Sequence, residues 1–334
     1  MIRLFHLVSA SLLLLLSQVF TPAFAAPPPH SDVRIATSWP AQNTILAMLG
    51  YGKNIVGTSA IAKRIPLFRQ TLPGIVNVPD VSMTSSHDIN PEQILAQRAQ
   101  LLFVPENMHV AKQDMLEQAG VKVMALPDNA MAAMVERVVE TAQVLGPDAQ
   151  QKAQRFQAYF NHNVALVRSR LAGIPDNQRL RVYHAMMTPL MTSGKPSLND
   201  DWITLAGGKN VAATWFGGKA NATGEVPVER AVAADPQVII AMTNQTAQMI
   251  EHSPQWQSTS AVKNHRVFVN PRGMFWWCRE TSEEALQFVW LAKKLYPAQF
   301  QDVDMSKMTH DFYQNFFGLN LTAAQVQNVL APQR

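Results

Sequence analysis

The chain has 334 residues, of which 47% are hydrophobic and 16% charged, and its net charge is +4. That balance excludes a disordered polar chain and suits large apolar cores, while the scattered basic residues exclude a nucleic-acid-binding face. About 300 residues follow the N-terminal segment described next, a length that suits two domains.

The first 25 residues read as a secretion signal. Met1-Ile2-Arg3 is a short basic start, residues 12–16 are an apolar run, and Ala23-Phe24-Ala25 fits an A-x-A cleavage site. The apolar run is too short for a membrane span. The single cysteine, Cys278, has no partner for an intramolecular disulfide, and no cysteine stands at the cleavage site. A soluble periplasmic protein without a lipid anchor is therefore expected.

Residues 33–36 read as a strand leading into the loop Thr37-Ser38-Trp39-Pro40. A helix with apolar Ile45, Leu46 and Leu49 follows and stops at Gly50-Tyr51-Gly52, and residues 54–57 form a second strand. Residues 101–104 are continuously apolar, as in a buried parallel strand, and residues 121–126 repeat the pattern after a helix ending at Gly120. Alternation of strand and helix implies a parallel sheet. Residues 130–173 carry helical patterns alone, broken at Gly146-Pro147. In the second half Ala153, Phe156, Phe160, Val164, Val167 and Leu171 form one apolar stripe. Strand patterns resume at 180–184, 238–241 and 266–269. Helices are expected at 202–206, 283–295 and 323–330.

One pattern is written twice. Ile89-Asn90-Pro91-Glu92 runs through Ala96 and Gln100 into the strand at 101, and Val226-Pro227-Val228-Glu229 runs through Ala233 and Gln237 into the strand at 238. Glu92 and Glu229, Ala96 and Ala233, and Gln100 and Gln237 are each 137 positions apart. The fold class that follows is α/β, with two Rossmann-like lobes on one plan, one long connecting helix and a ligand cleft between the lobes. The expected limits are 1–25 for the signal, 26–130 for the first lobe, 131–173 for the connector and 174–334 for the second lobe.

Four local patterns in this order resemble the periplasmic binding proteins of ABC importers for iron–siderophore complexes and cobalamin. They are the strand–loop–helix of residues 35–57, the repeated Pro-x-Glu and Val-x-Glu segments, Thr192-Ser193-Gly194 followed by Leu205-Ala206-Gly207-Gly208-Lys209-Asn210, and Ser282-Glu283-Glu284-Ala285-Leu286 with Trp290-Leu291-Ala292-Lys293-Lys294-Leu295-Tyr296-Pro297. The resemblance covers nearly all of the chain after the signal. It implies that Glu92 and Glu229 dock on arginines of the two permease subunits. A carboxylate on a helix's first turn is stabilised by the helix dipole and available to a bidentate arginine.

In open α/β sheets ligands sit beyond the carboxyl ends of the strands. The residues that follow the predicted strands are Trp39, Ser59 with Lys63-Arg64, Glu106 and Met108, Tyr183-His184 and Met187, and Met242. Met83 and Ser85 precede the first repeated segment, Trp215 lies in a Gly-rich loop, and Arg272, Trp276 and Arg279 share one loop. Aromatic and thioether loop tips suit a large planar or greasy ligand, and arginines offset the charge of a ferric chelate. His184 closes a strand and is the candidate for completing a bound metal's coordination.

No G-x-S-x-G elbow is present, Gly194-Lys195-Pro196-Ser197 lacks the rest of a phosphate loop, and no G-x-G-x-x-G follows a strand. The expectation is a monomeric carrier, not an enzyme and without a cofactor of its own. It delivers a metal chelate, iron–siderophore first, to an inner-membrane ABC permease dimer. The alternatives are a nickel or cobalt chelate, haem or cobalamin as cargo, or a periplasmic enzyme or chelatase on the same scaffold.

Overall fold

The computed structural model describes residues 32–82, 88–219 and 222–332. The segment expected to be a secretion signal, Met83 and Ser85 lie outside them. The first parallel sheet contains β1 (Ile35–Ala36), β2 (Ile55–Gly57), β3 (Leu101–Pro105) and β4 (Lys122–Leu126) in the order β2-β1-β3-β4. The second half of the chain adds β5 (Arg181–Ala185), β6 (Met191–Ser193), β7 (Lys209–Asn210), β8 (Thr223–Glu225), β9 (Val238–Ala241) and β10 (Val267–Val269). Its parallel sheet runs β10-β9-β5-β7, and β6 and β8 pair antiparallel beside it.

The two parallel sheets share one plan. β1 and β5 are flanked on one side by β2 and β7, and on the other by β3 and β9, with β4 and β10 outermost. The repeated segments supply β3 and β9, and each is preceded by a short helix, Pro91–Ala96 or Val228–Ala233. The repeated glutamine has a structural role. The side-chain oxygen of Gln100 accepts from the Arg34 N–H at 3.0 Å, and that of Gln237 accepts from the Arg181 N–H at 3.0 Å. Each glutamine thus satisfies a strand-end donor while its own N–H bonds the carbonyl of the same arginine. The strands read as continuously apolar are the inner ones: Leu101, Leu102, Phe103, Val104 and all of β9 are buried. β4 lies at an edge, where Lys122 and Ala125 are exposed despite the apolar run.

The connecting segment is two helices, Met131–Leu145 and Pro147–Leu171. Gly146 separates them at φ 109°, a left-handed value that a side chain would strain, and Pro147 opens the second helix. Ala153, Phe156, Phe160, Val167 and Leu171 of the expected stripe are buried, with Val164 half-buried.

Elements not expected from sequence fasten the lobes further. Met305–Phe317 is a helix capped by the Asp304 side chain, which accepts from the N–H groups of Ser306 and Lys307. Its Phe312 and Phe316 meet Tyr159 and Phe156 of the connector at ring distances of 5.7 and 5.8 Å. Asn244–His252 is another unexpected helix, and β6 and β8 are too short to leave an alternating pattern. Direct bonds join the lobes as well: the Ser282 N–H donates to Thr44 Oγ1 at 3.1 Å, and Gln325 donates to Gln70 at 2.8 Å. One cluster of buried apolar residues runs without interruption from Ile35 and Ile45 of the first lobe through Phe156 to Phe288, Phe312 and Val329.

Phe156 sits at the middle of that cluster and is fully buried. Phe156→Ala is expected to destabilise the protein by about 3–5 kcal/mol through lost burial and the cavity left behind. Because the core is shared, urea unfolding is expected to stay a single transition in the wild type. Two resolved transitions would show that the lobes hold separate cores.

Candidate functional site

A cavity of about 480 Å³ opens between the lobes. The first lobe contributes Ile61, Arg64, Ile65 and Pro66. The second contributes the thioethers Met186, Met187, Met191 and Met242, and the loop residues Arg272, Phe275, Trp276 and Arg279. These side chains follow the carboxyl ends of β2, β5, β9 and β10, so both parallel sheets point their ligand-binding ends at one cleft. A second space of about 480 Å³ adjoins it and shares Met242, Arg272 and Trp276.

The loops are held from behind. The Met242 N–H donates to the Ala185 carbonyl at 2.8 Å, and Thr246 Oγ1 donates to the Met187 carbonyl at 3.0 Å. Met187 itself stands 56% exposed at the rim. The Arg272 guanidinium lies 5.5 Å from the Trp276 ring centroid. Among the described residues, Arg64, Arg272 and Arg279 form no ion pair, and no carboxylate lines the cleft. Three cations without counter-ions, set among thioethers and aromatic rings, make an anion site with an apolar floor.

The match to known proteins follows the same architecture. A family model described as "Periplasmic binding protein" matches residues 35–272. The chain belongs to that family. It is 27% identical over 314 residues to the molybdate-binding protein MolA of Haemophilus influenzae, covering 86% of this chain and 84% of that one. The solved structure of that MolA with molybdate bound matches with a TM-score of 0.74 at 23% identity, covering 87% of this chain and 94% of the other. Helicobacter pylori CeuE with Ni(II) bound matches with a TM-score of 0.72 at 19% identity, covering 90% of this chain and 94% of that one. The two-lobed α/β fold is therefore that of periplasmic binding proteins serving ABC importers.

Of the residues expected at the ligand, Met187, Arg272, Trp276 and Arg279 lie together on the cleft. Arg64 joins them. Its signal is its place just beyond a strand end, on the short helix Ala60–Arg64. Met191 comes from β6, which the sequence pattern does not reveal.

Other expected contacts fall elsewhere. Trp39 is 5% exposed beneath the Arg137 guanidinium, 4.1 Å from its ring centroid, because Pro40 starts a helix where a loop was expected to reach the ligand. Trp215 packs with Tyr183 and Trp256 in the smaller core of the second lobe, under Arg230 at 4.9 Å. Glu106 is exposed, and Met108 packs against the first lobe's smaller core; neither lines the cleft.

His184 does not reach the cleft. Its ring is fully buried, edge-on to Trp202 at 5.1 Å, and neither ring nitrogen has a hydrogen-bond partner among the described residues. Burial, with the Arg279 charge adding to it, lowers its pKa to about 3. The neighbouring Tyr183 points to the opposite face, as strand alternation requires, and donates to the Pro189 carbonyl at 2.9 Å. Cys278 is buried too, and its thiol is pushed up to about 12, chiefly by burial, so it stays protonated and unreactive.

The two repeated glutamates are exposed on the first turns of their helices. Glu92 is paired with Lys112, whose hydrogen bond lowers the carboxyl pKa, whereas Glu229 has no ion-pair partner among the described residues. An exposed pair of this kind is weak and exchanges readily for another cation.

The buried His184 sets a pH dependence of stability. Its folded pKa lies below the ordinary 6.5, so between 6.5 and about 3 the unfolded chain takes up a proton that the folded chain refuses. Stability is therefore lost as pH falls through that window. His184→Phe is expected to remove this part of the acid sensitivity, which is at most about 1.4 kcal/mol per pH unit. Urea midpoints of both proteins at pH 7 and pH 5 check it; parallel losses would mean that the folded ring takes up its proton as readily as the unfolded one.

Proposed function

We propose that the cleft captures an anionic metal complex in the periplasm and that the loaded protein hands it to an ABC permease dimer in the inner membrane. The observation that carries this reading is the convergence of Arg64, Arg272 and Arg279, from both lobes, on a cleft lined by no carboxylate among the described residues. A charged donor from each side gives the anion a reason to bridge the lobes. The cavity falls within the range of about 300–1,000 Å³ typical of small-molecule sites. Its thioethers and Trp276 offer apolar surface that a bare oxyanion does not use, which favours a chelate with an organic shell, iron–siderophore first. A nickel chelate or haem fits the same description less specifically.

A second reading has its own support. MolA, the relative at 27% identity, is a molybdate-binding protein, and a tetrahedral oxyanion also suits a cluster of arginines. Tryptophan fluorescence titration with ferric catecholate, nickel–histidine, haem and molybdate separates the two. Quenching by the ferric chelate at micromolar concentration is expected. Arg64→Ala, Arg272→Ala and Arg279→Ala are each expected to weaken it by roughly 10–100-fold, the loss of one charge-assisted bond. Saturation by molybdate alone would replace the chelate with the oxyanion, and no response to any anion would overturn both.

Glu92 and Glu229, one per lobe, are the residues we assign to permease docking. Complementary charges of this kind set orientation and encounter rate. Glu92→Lys combined with Glu229→Lys is expected to abolish uptake in cells while leaving cargo affinity unchanged. Lost affinity in the purified variant would place these residues at the cargo instead.

A further inference from the structure

We infer that Glu283 is a positioning residue for the cargo site: a buried carboxylate around which the 272–279 loop is folded, and which sets the spacing between Arg272 and Arg279. The assignment of those arginines to an anionic cargo rests on the reading above; the folding of the loop around the carboxylate does not.

Glu283 is fully buried at the start of the helix Glu284–Leu295. Four donors converge on it, two to each oxygen. Oε1 accepts from the Met274 N–H at 2.9 Å and from the Tyr313 hydroxyl. Oε2 accepts from the Phe275 N–H at 3.1 Å and from Thr281 Oγ1 at 2.8 Å. An ionised carboxylate is an acceptor only, with about four lone-pair sites, so the donor set matches its capacity. Glutamine keeps one acceptor oxygen and turns an NH₂ group toward a backbone N–H that can only donate.

Gly273 makes the approach possible. A Cβ there would lie 1.8 Å from both Glu283 Oε1 and the Tyr313 hydroxyl. Once Met274 and Phe275 are held, the rest of the loop is held through its own bonds. The Gly273 N–H donates to the Phe275 carbonyl at 3.0 Å, the Trp277 N–H to Pro271 at 3.1 Å, and the Arg279 N–H to Trp276 at 2.9 Å. Met274, Trp277 and Cys278 are thereby turned into the core, and Arg272, Trp276 and Arg279 out to the cleft. Glu283 does not line the cleft. Its oxygens are occupied by neutral donors, so it shapes the anion site without entering it.

The test combines ligand-free dynamics with cargo affinity. In Glu283→Gln, hydrogen exchange at the Met274 and Phe275 amides is expected to accelerate about tenfold or more, confined to residues 272–281. Quenching of Trp276 by acrylamide, read against a Trp276→Phe background, is expected to rise with it. Affinity for ferric catecholate is expected to fall about tenfold or more, and by less in Tyr313→Phe, which removes one donor of four. Tyr313→Phe carries the test alone if Glu283→Gln does not fold. Unchanged exchange at the two amides, or faster exchange with undiminished affinity, would overturn the inference. Loosening of the loop in a protein whose wild type binds no anion supports the role of Glu283 in folding the loop and overturns the cargo reading instead.

Discussion

Everything else in the structure depends on one apolar core that does not stop at the boundary between the lobes. Phe156 and Phe160 of the connector touch Phe316 and Phe288, and the same buried cluster reaches Ile45 in the first lobe and Val329 near the end of the chain. A core packed to crystal-like density transmits strain and does not deform continuously. Binding proteins hinged by extended strands can close like a clam; here a large rotation of one lobe would open apolar surface in the shared core. The cleft is thus held near its binding geometry before cargo arrives, a form of preorganisation that reduces the ordering cost of binding.

On this stiff frame the cleft is lined by loops beyond the strand ends. The frame chooses where they stand, and their own chemistry chooses what they hold. Arg64, Arg272 and Arg279 supply positive charge, while four methionines and Trp276 supply polarizable apolar surface. Methionine adapts its shape to irregular partners, in keeping with the proposed chelate cargo. The loop that carries two of the arginines is itself organised by a buried carboxylate. The arginines face the cleft, and the carboxyl oxygens are occupied inside the fold.

The fold was largely legible from residue patterns, and the reasons are physical. Parallel strands buried on both faces leave continuous apolar runs, so β3 and β9 could be read directly. The duplicated segment disclosed two lobes because each lobe needs the same strand next to its central one. Gln100 and Gln237 were repeated for a reason that sequence cannot give, namely to satisfy the N–H at the start of β1 or β5. The C-terminal helix Met305–Phe317 was missed, although Asp304 and Gly318 mark its ends. The site was less legible. Loop membership pointed to Met187, Arg272, Trp276 and Arg279, which lie together on the cleft, but it does not tell which way a side chain turns. Trp39 was drawn into the core by the helix that Pro40 starts, and His184 by its place on the inward face of β5, against Trp202.

A crystal structure of the protein loaded with ferric catecholate tests the central claim most directly. The anion is expected between Arg64 of one lobe and Arg272 and Arg279 of the other, with the shared core around Phe156 unchanged. Cargo bound without contact to these arginines, or a large rotation of the lobes that separates Phe156 from Phe316, would contradict it.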